Sequence, residues 1–446
     1  MKISMPCMCF TCALCLWLTL SSTFARADTP QVPDIAAIRA EMTALKAHYD
    51  DRITVLEARL AQAERTIAQN SPPAPAPAAQ PVNPPSAANA LNPSVSMVLL
   101  GNYAADSHNP AAFKLPGFTL PDSARPLVRG LSLGESELTL AADIDDKFYG
   151  SLTASLTVEH GDTHVSLEEA YFQTLAMPYG LTVKGGRFFS RIGYLNEQHP
   201  HADDFVDRPL PYGVFLNGSF GDDGLQLRWL APTPMFVEIG SEAFRGDSFP
   251  ADGASGHSPG AYTAFLHVGD DWNDSWSYRV GASYMHADAR RRISADGNEL
   301  FRGEDDLIIA DLIVKWAPDG NTARQNLKLQ SEVIHRWEDG DFNTQRYSGE
   351  QDGFYAQVVY QFMPRWRSGV RYDALFPDNH GPAIAGTSLD EQGHPPWRVS
   401  WLFEFDNSEF SRLRLQYAYD EVNARSDHQL MLNYIYSLGA HGAHQF

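Results

Sequence analysis

From residue 94 onward the chain carries no helical period, and apolar side chains return at every second position instead. The pattern is plain in Phe148-Tyr149-Gly150-Ser151-Leu152-Thr153-Ala154-Ser155-Leu156-Thr157-Val158-Glu159. It recurs in Phe354 to Phe362, Trp397 to Phe405 and Arg412 to Tyr417. Successive side chains of a strand point to opposite faces, so each segment has one apolar and one polar face. A half-buried soluble sheet alternates too, but three further features separate the cases. Trp, Tyr and Phe gather near strand ends, where an interfacial girdle needs them. Short connections such as Met177-Pro178-Tyr179-Gly180, Ala231-Pro232-Thr233-Pro234 and Met363-Pro364-Arg365 alternate with mostly long ones near 106–128, 190–222, 288–306 and 375–396. The chain ends on an aromatic, Phe446, after the alternating Leu430, Leu432, Tyr434, Tyr436 and Leu438.

The predicted strands are 95–104, 131–144, 147–159, 165–176, 181–189, 224–230, 235–244, 261–269, 275–287, 307–316, 326–337, 352–362, 366–374, 397–406, 411–420 and 428–438. Hydrocarbon offers no hydrogen bonds, so only a sheet closed on itself can cross it. The fold class expected for residues 94–446 is therefore all-β, a transmembrane antiparallel barrel of about 16 strands.

Residues 1–27 read as a signal peptide: Lys2, an apolar run to Leu20, and Ala25-Arg26-Ala27 as the cleavage site. All four cysteines, Cys7, Cys9, Cys12 and Cys15, fall inside it, so the exported chain has neither disulfides nor thiolate metal sites. Removing Lys2 and Arg26 leaves 34 − 2 = 32 basic against 55 acidic residues, a net charge of −23. Nucleic acid is excluded as a partner by that charge.

Residues 28–70 carry apolar positions at Ile38, Met42, Leu45, Tyr49, Ile53, Leu56, Leu60, Ala63 and Ile67, a short heptad helix with one stutter. So narrow a stripe needs a partner helix, and a coiled coil giving a homo-oligomer, a trimer for example, supplies it. Residues 71–93 are a Pro/Ala-rich spacer. These readings place the barrel in the outer membrane with its helical stalk in the periplasm. Outer-membrane lipid and the assembly machinery are then its partners.

The segments LSLGESELTL (131–140), DDKFYG (145–150), LEEAYFQTLAMP (167–178), LTVKGGRFFSRIGYLNEQHPHADDF (181–205), GDDGLQLRWLAPT (221–233), YQFMPRWRSGVRYD (360–373) and SLGAHGAHQF (437–446) resemble proteins described as zinc-regulated outer-membrane porins or receptors. A more distant likeness is to the phosphate-selective porins, which also place a coiled coil before a barrel. The resemblance implies a porin connected with zinc, as a regulator or as cargo. TonB-dependent receptors carry a plug domain ahead of a larger barrel, which a stalk and a spacer do not supply.

Strand phase assigns the pore-lining positions. If Leu413, Leu415 and Tyr417 face lipid, Arg412, Arg414 and Gln416 face the lumen. The same rule turns Arg367, Arg371, Asp373, Arg398 and Glu404 inward on late strands, and Glu135, Glu137, Thr139 and Asp143 on an early one. Basic residues late and acidic residues early imply a transverse field across the pore. The long connection from Ser190 to Asp222 is the candidate constriction, with Arg191, Glu197, Asp207 and Arg208 as its charged residues. Within it His199, His201, Asp203 and Asp204 are candidate zinc ligands by type. His441 and His444 lie near the opposite rim and do not complete that set.

An enzyme is not expected. Gly130-Leu131-Ser132-Leu133-Gly134 and Gly256-His257-Ser258-Pro259-Gly260 match G-x-S-x-G, but neither precedes a predicted helix as a nucleophile elbow requires. No resident cofactor is implied, zinc entering only as cargo or regulator.

Overall fold

The computed structural model describes residues 93–439 apart from 111–112, 122–123, 160–161, 254–257 and 423–425. The segments expected to be an export signal and a coiled coil, nearly all of the expected spacer, His441, His444 and Phe446 lie outside the described residues.

The described chain is one closed antiparallel barrel. Strand β1 is Ser94–Asp106 and β2 is broken into Gly130–Leu133 and Ser136–Asp143. Then come β3 (Phe148–Glu159), β4 (Asp162–Thr174), β5 (Leu181–Phe189), β6 (Gly221–Leu230), β7 (Phe236–Phe244) and β8 (Ala261–Asn273). The second half is β9 (Trp276–Ile293), β10 (Leu300–Trp316), β11 (Asn326–Phe342), β12 (Gln345–Met363), β13 (Trp366–His380), β14 (Trp397–Ser408), β15 (Ser411–Glu421) and β16 (Asp427–Gly439). Both parts of β2 pair with β1, so the 17 strand segments of the sheet fill sixteen positions. Closure comes where β1 meets β16, from Ser96 opposite Gly439 to Asp106 opposite Gln429. At the break in β2 a Cβ on Gly134 would stand 2.7 Å from Asn102 Nδ2 and 2.8 Å from Leu100 Cβ, so only glycine lets the two strands come so close there.

Alternation decides which side chains face out. On β15, Leu415 is 42% exposed while its neighbour Gln416 is fully buried inside. Leu152, Phe172, Leu227, Ile239, Leu266, Ile308, Val370 and Leu432 continue the apolar exterior around the barrel. Aromatic rings ring the short-turn rim, with Trp276 packed 6.2 Å from Trp316 and Trp366 packed 4.5 Å from Phe405. A second belt near the other end joins Phe354, Tyr372, Trp397 and Tyr419. Among the described residues no helix is long and apolar enough to cross a membrane.

The short connections gather at one rim, as expected, but not every long one survives. The stretch 288–306 is mostly strand, with a turn only over 294–299. Strands β11 and β12 likewise run on to a two-residue turn in which Asn343 and Thr344 both have positive φ, 48° and 70°. Charged residues such as Arg292 hide this extension from an apolar-alternation reading, yet Arg292 points inward and is paired with Asp305 at 2.6 Å and with Glu338.

Leu415→Arg places a charge on the outer face and is expected to cost about 2–4 kcal/mol if it sits near mid-bilayer. Reversible denaturation from lipid vesicles measures this; a cost below about 1 kcal/mol would mean that this face does not meet hydrocarbon.

Candidate functional site: a loop seated across the lumen

The connection between β5 and β6 turns into the barrel instead of standing on its rim. Its own composition drives this. Ile192, Leu195, Phe205, Leu210, Tyr212, Val214, Phe215, Leu216 and Phe220 would be left in water on an outer loop, and inside they are all buried. Helix α1 (Leu210–Leu216) begins on prolines and stops at Asn217, whose left-handed φ of 51° lets its backbone N–H bond to Tyr212 O. All of these but Phe205 pack on inward-facing Met285 of β9, Leu307 and Ile309 of β10, Ile334 of β11, Tyr355 of β12 and Leu375 of β13, while Phe205 packs on Val359 of β12 and Leu402 of β14. The β1–β2 connection adds Leu115 and Phe118, the latter edge-on to Phe215 at 5.9 Å. The inner wall is therefore not polar throughout: at the level of the loop the strands turn apolar residues inward to receive it.

Polar groups fix the seat. Glu332 on β11 accepts hydrogen bonds from the backbone N–H of Tyr194 (3.0 Å) and Leu195 (3.2 Å) and from the hydroxyls of Tyr212 (2.9 Å) and Tyr355 (2.5 Å). Just before these, Gly193 has a φ of +65°, and a Cβ there would come within 2.6 Å of the Tyr212 hydroxyl.

Further along, loop carboxylates meet a wall of cations. Asp204 takes Lys328 Nζ at 2.5 Å and the Arg367 guanidinium. Asp207 takes Arg371 at 2.8 Å, Arg398 at 2.5 Å and the Gln416 amide at 2.6 Å. Arg414 donates to the carbonyls of Asp203 (2.6 Å) and Phe205 (3.0 Å). Burial alone would raise the Asp207 carboxyl, but Arg371 and Arg398 outweigh it and hold the group below its ordinary range.

The residues expected to line the pore are thus distributed as follows. Arg371, Arg398 and Arg414 project inward but are covered by the loop. Glu404 is buried between Arg367 at 2.8 Å and Arg412 at 4.0 Å. Asp143 sits exposed at a strand end, and Glu135 lies in the break of β2 beside Glu168. Of the constriction residues, Arg191 joins Glu197 (2.8 Å) to Glu238 on β7 (3.1 Å). Arg208 ties the loop to itself through Asp203 at 2.9 Å and Gly218 O at 2.6 Å.

The four candidate metal ligands part company. Asp203 and Asp204 turn to the cations just named, whereas His199 and His201 stack 5.7 Å apart and face the wall. There Glu137 completes a set whose donor atoms all lie within 4.8 Å of one another. Sequence reasoning named Glu137 for another role and missed Glu168, Glu169, Glu332 and Lys328. For the last two a signal existed, since Lys328, Gln330, Glu332 and Ile334 share one phase of a predicted strand. Ser132 lies on the first part of β2 opposite Asn102 and leads into more strand, so it forms no nucleophile elbow; two of the five residues of the second match, Gly256 and His257, lie outside the described residues.

No family model matches the chain. An uncharacterized protein of Aquifex aeolicus (strain VF5) is 32% identical over 346 residues, spanning 71% of this chain and 70% of that one. The chain belongs to that protein's family. Among solved structures, the outer-membrane channel DcaP of Acinetobacter baumannii superposes with a TM-score of 0.48 at 13% identity, over 78% of this chain and 97% of its own. OmpT of Vibrio cholerae gives 0.48 at 8%, covering 78% and 97%. The anion-selective porin of Comamonas acidovorans gives 0.48 at 9%, covering 78% and 99%. The fold of this family member is established without them, by its own strand pairing.

Asp207→Asn leaves Arg371 and Arg398 facing an uncharged partner and is expected to weaken the seating of the loop by about 3–5 kcal/mol. Limited proteolysis should then cut within 199–209 while the barrel stays intact. Because the folded Asp207 carboxyl is depressed, its contribution is complete above the ordinary carboxylate range and disappears only as pH falls through the lowered value. Wild-type protein should therefore resist cleavage at pH 5 as it does at pH 7, and equal cleavage of wild type and variant would remove Asp207 from this role.

Proposed function

We propose that the protein is a porin-like channel of the outer membrane, passing small hydrophilic solutes past a constriction made by loop 190–220. The seating of that loop on opposite walls of a closed barrel carries the reading. On one side stand Glu135, Glu137, Glu168, Glu169, Glu238 and Glu242, and on the other Lys328, Arg367, Arg371, Arg398 and Arg414. Asp204 and Asp207 of the loop and Asp373, Glu404 and Asp420 of the wall offset part of the cationic side, and the asymmetry that remains would orient dipolar solutes as they pass. Zinc, or a small molecule carrying it, is the special cargo favoured by the imidazole and carboxylate groups at the loop. Self-association through the N-terminal helix and a periplasmic stalk belong to the same proposal.

A second reading has its own support. The apolar cluster of Ile192, Phe215, Phe220, Ile309 and Ile334 is packed inside the barrel and suits a non-conducting outer-membrane binding protein. Conductance in planar bilayers separates the two. The channel reading expects discrete open steps from the wild type and larger ones from an Asp204→Asn/Asp207→Asn variant, whose loop is loosened. Folded protein that never opens in either form would leave the binding reading standing.

A further inference from the structure

The geometry points to a divalent transition-metal site made by Glu137, His199 and His201, with Glu168 beside His199 as the fourth ligand, which fastens the near limb of the loop to strands β2 and β4. It deepens the zinc part of the proposal above, assigning the ion a held position rather than only a passage.

The distances suit ligands gathered around one ion as well as they suit direct ion pairs, and the unsatisfied atoms favour the ion. His199 Nδ1 stands 3.1 Å from Glu137 Oε2 and 3.3 Å from Glu168 Oε2. Tetrahedral bonds of about 2.0–2.1 Å place ligand atoms about 3.3–3.4 Å apart; the His199–Glu168 approach of 3.3 Å matches that, and the two to Glu137, at 3.1 and 2.8 Å, would open slightly around an ion. Both His199 Nδ1 and Glu168 Oε2 are shut off from solvent, and neither has a hydrogen-bond partner in spite of these short approaches. Buried polar atoms are rarely left so, and an ion between them satisfies both. The opposite nitrogen of the same ring, Nε2, lies 3.1 Å from Glu169 Oε2. A carboxylate behind a ligating imidazole sets its tautomer and strengthens it as a donor. His201 Nδ1 lies 2.8 Å from Glu137 Oε1, bringing the second imidazole to the same carboxylate.

Charge favours the same assignment. Glu135, Glu137, Glu168 and Glu169 converge here, and Lys184 beside Glu169 is the cation that acts on this group from β5. Two imidazoles and two carboxylates suit zinc or a neighbouring first-row ion and disfavour calcium and magnesium, which take all-oxygen shells. The ligands come from three places: Glu137 on β2, Glu168 on β4, and the loop. An ion there would hold residues 199–201 to the wall, while Asp204 and Asp207 hold the far limb to β11–β15.

The test uses untagged protein beginning at Asp28, which leaves out the four cysteines of residues 1–27, refolded in detergent, stripped with chelator and dialysed against zinc chloride. One tightly held ion per chain is expected, with cobalt in its place showing the visible absorption of a tetrahedral centre. His199→Ala and Glu137→Gln should each weaken binding by about 100-fold or more, and Glu169→Gln, behind the imidazole, by about 10–100-fold. Heat-modified migration on gels checks that each variant remains a folded barrel, and Glu169→Gln, which removes no ligand, serves if the others do not fold. Stoichiometry below one in the folded wild type, or affinity unchanged in Glu169→Gln and His199→Ala, would overturn the site and leave these groups as ion pairs. Binding is read without conductance, so failure of the channel proposal leaves the result intact, and a conducting protein that binds no zinc loses the site alone.

Discussion

Every backbone N–H and C=O in the hydrocarbon must find its partner within the protein, and the pairing of β1 with β16 is where that demand is met last. Without it two strand edges would face lipid, each unpaired group costing several kilocalories per mole. Closure also locks the phase of the side chains. A slip of one residue at the seam between Ser96 and Gly439 would turn Leu430, Leu432 and Tyr434 inward and send Asn433 and Gln429 into lipid.

A cylinder of sixteen strands is wider than its own side chains can fill, and general porins of this size leave water inside. Here loop 190–220 takes much of that space. Its apolar centre supplies the driving force, at about 1.5–3 kcal/mol for each large side chain fully buried. Its charges supply the position, because a carboxylate in the wrong place inside the barrel would be left without a counter-charge. Buried ion pairs add little net stability in general, but breaking one is expensive, so a network like Asp204 and Asp207 on four cations selects one seat among many. Glu332, gathering two backbone amides and two hydroxyls, does the same at the other limb.

Much of the barrel could be read from residue order because lipid imposes a local rule. Sixteen strands stand where alternation placed them, and the proline turns such as Pro364-Arg365 join them as expected. The rule stopped working where lipid stops: in Arg290-Arg291-Arg292 and in Trp337 to Phe342 the outward residues are no longer uniformly apolar, and long β-extensions read as loops. For the site, His199 and His201 were visible as ligand types, but their carboxylate partner Glu137 comes from a strand 64 residues before His201. Asp203 and Asp204 looked equivalent to the histidines on the same short segment, and only their directions separate them.

Residue order alone determined the strands, their facing and the apolar exterior, because each follows from a period of two read against a lipid solvent. The apolar residues that draw loop 190–220 out of water are in that order too. Which wall the loop leans on, and which carboxylate meets which cation or imidazole, was decided by closure of the cylinder. Closure brings β2, β4, β11 and β13–β15 around one lumen, and contacts across that space join residues that no local pattern connects.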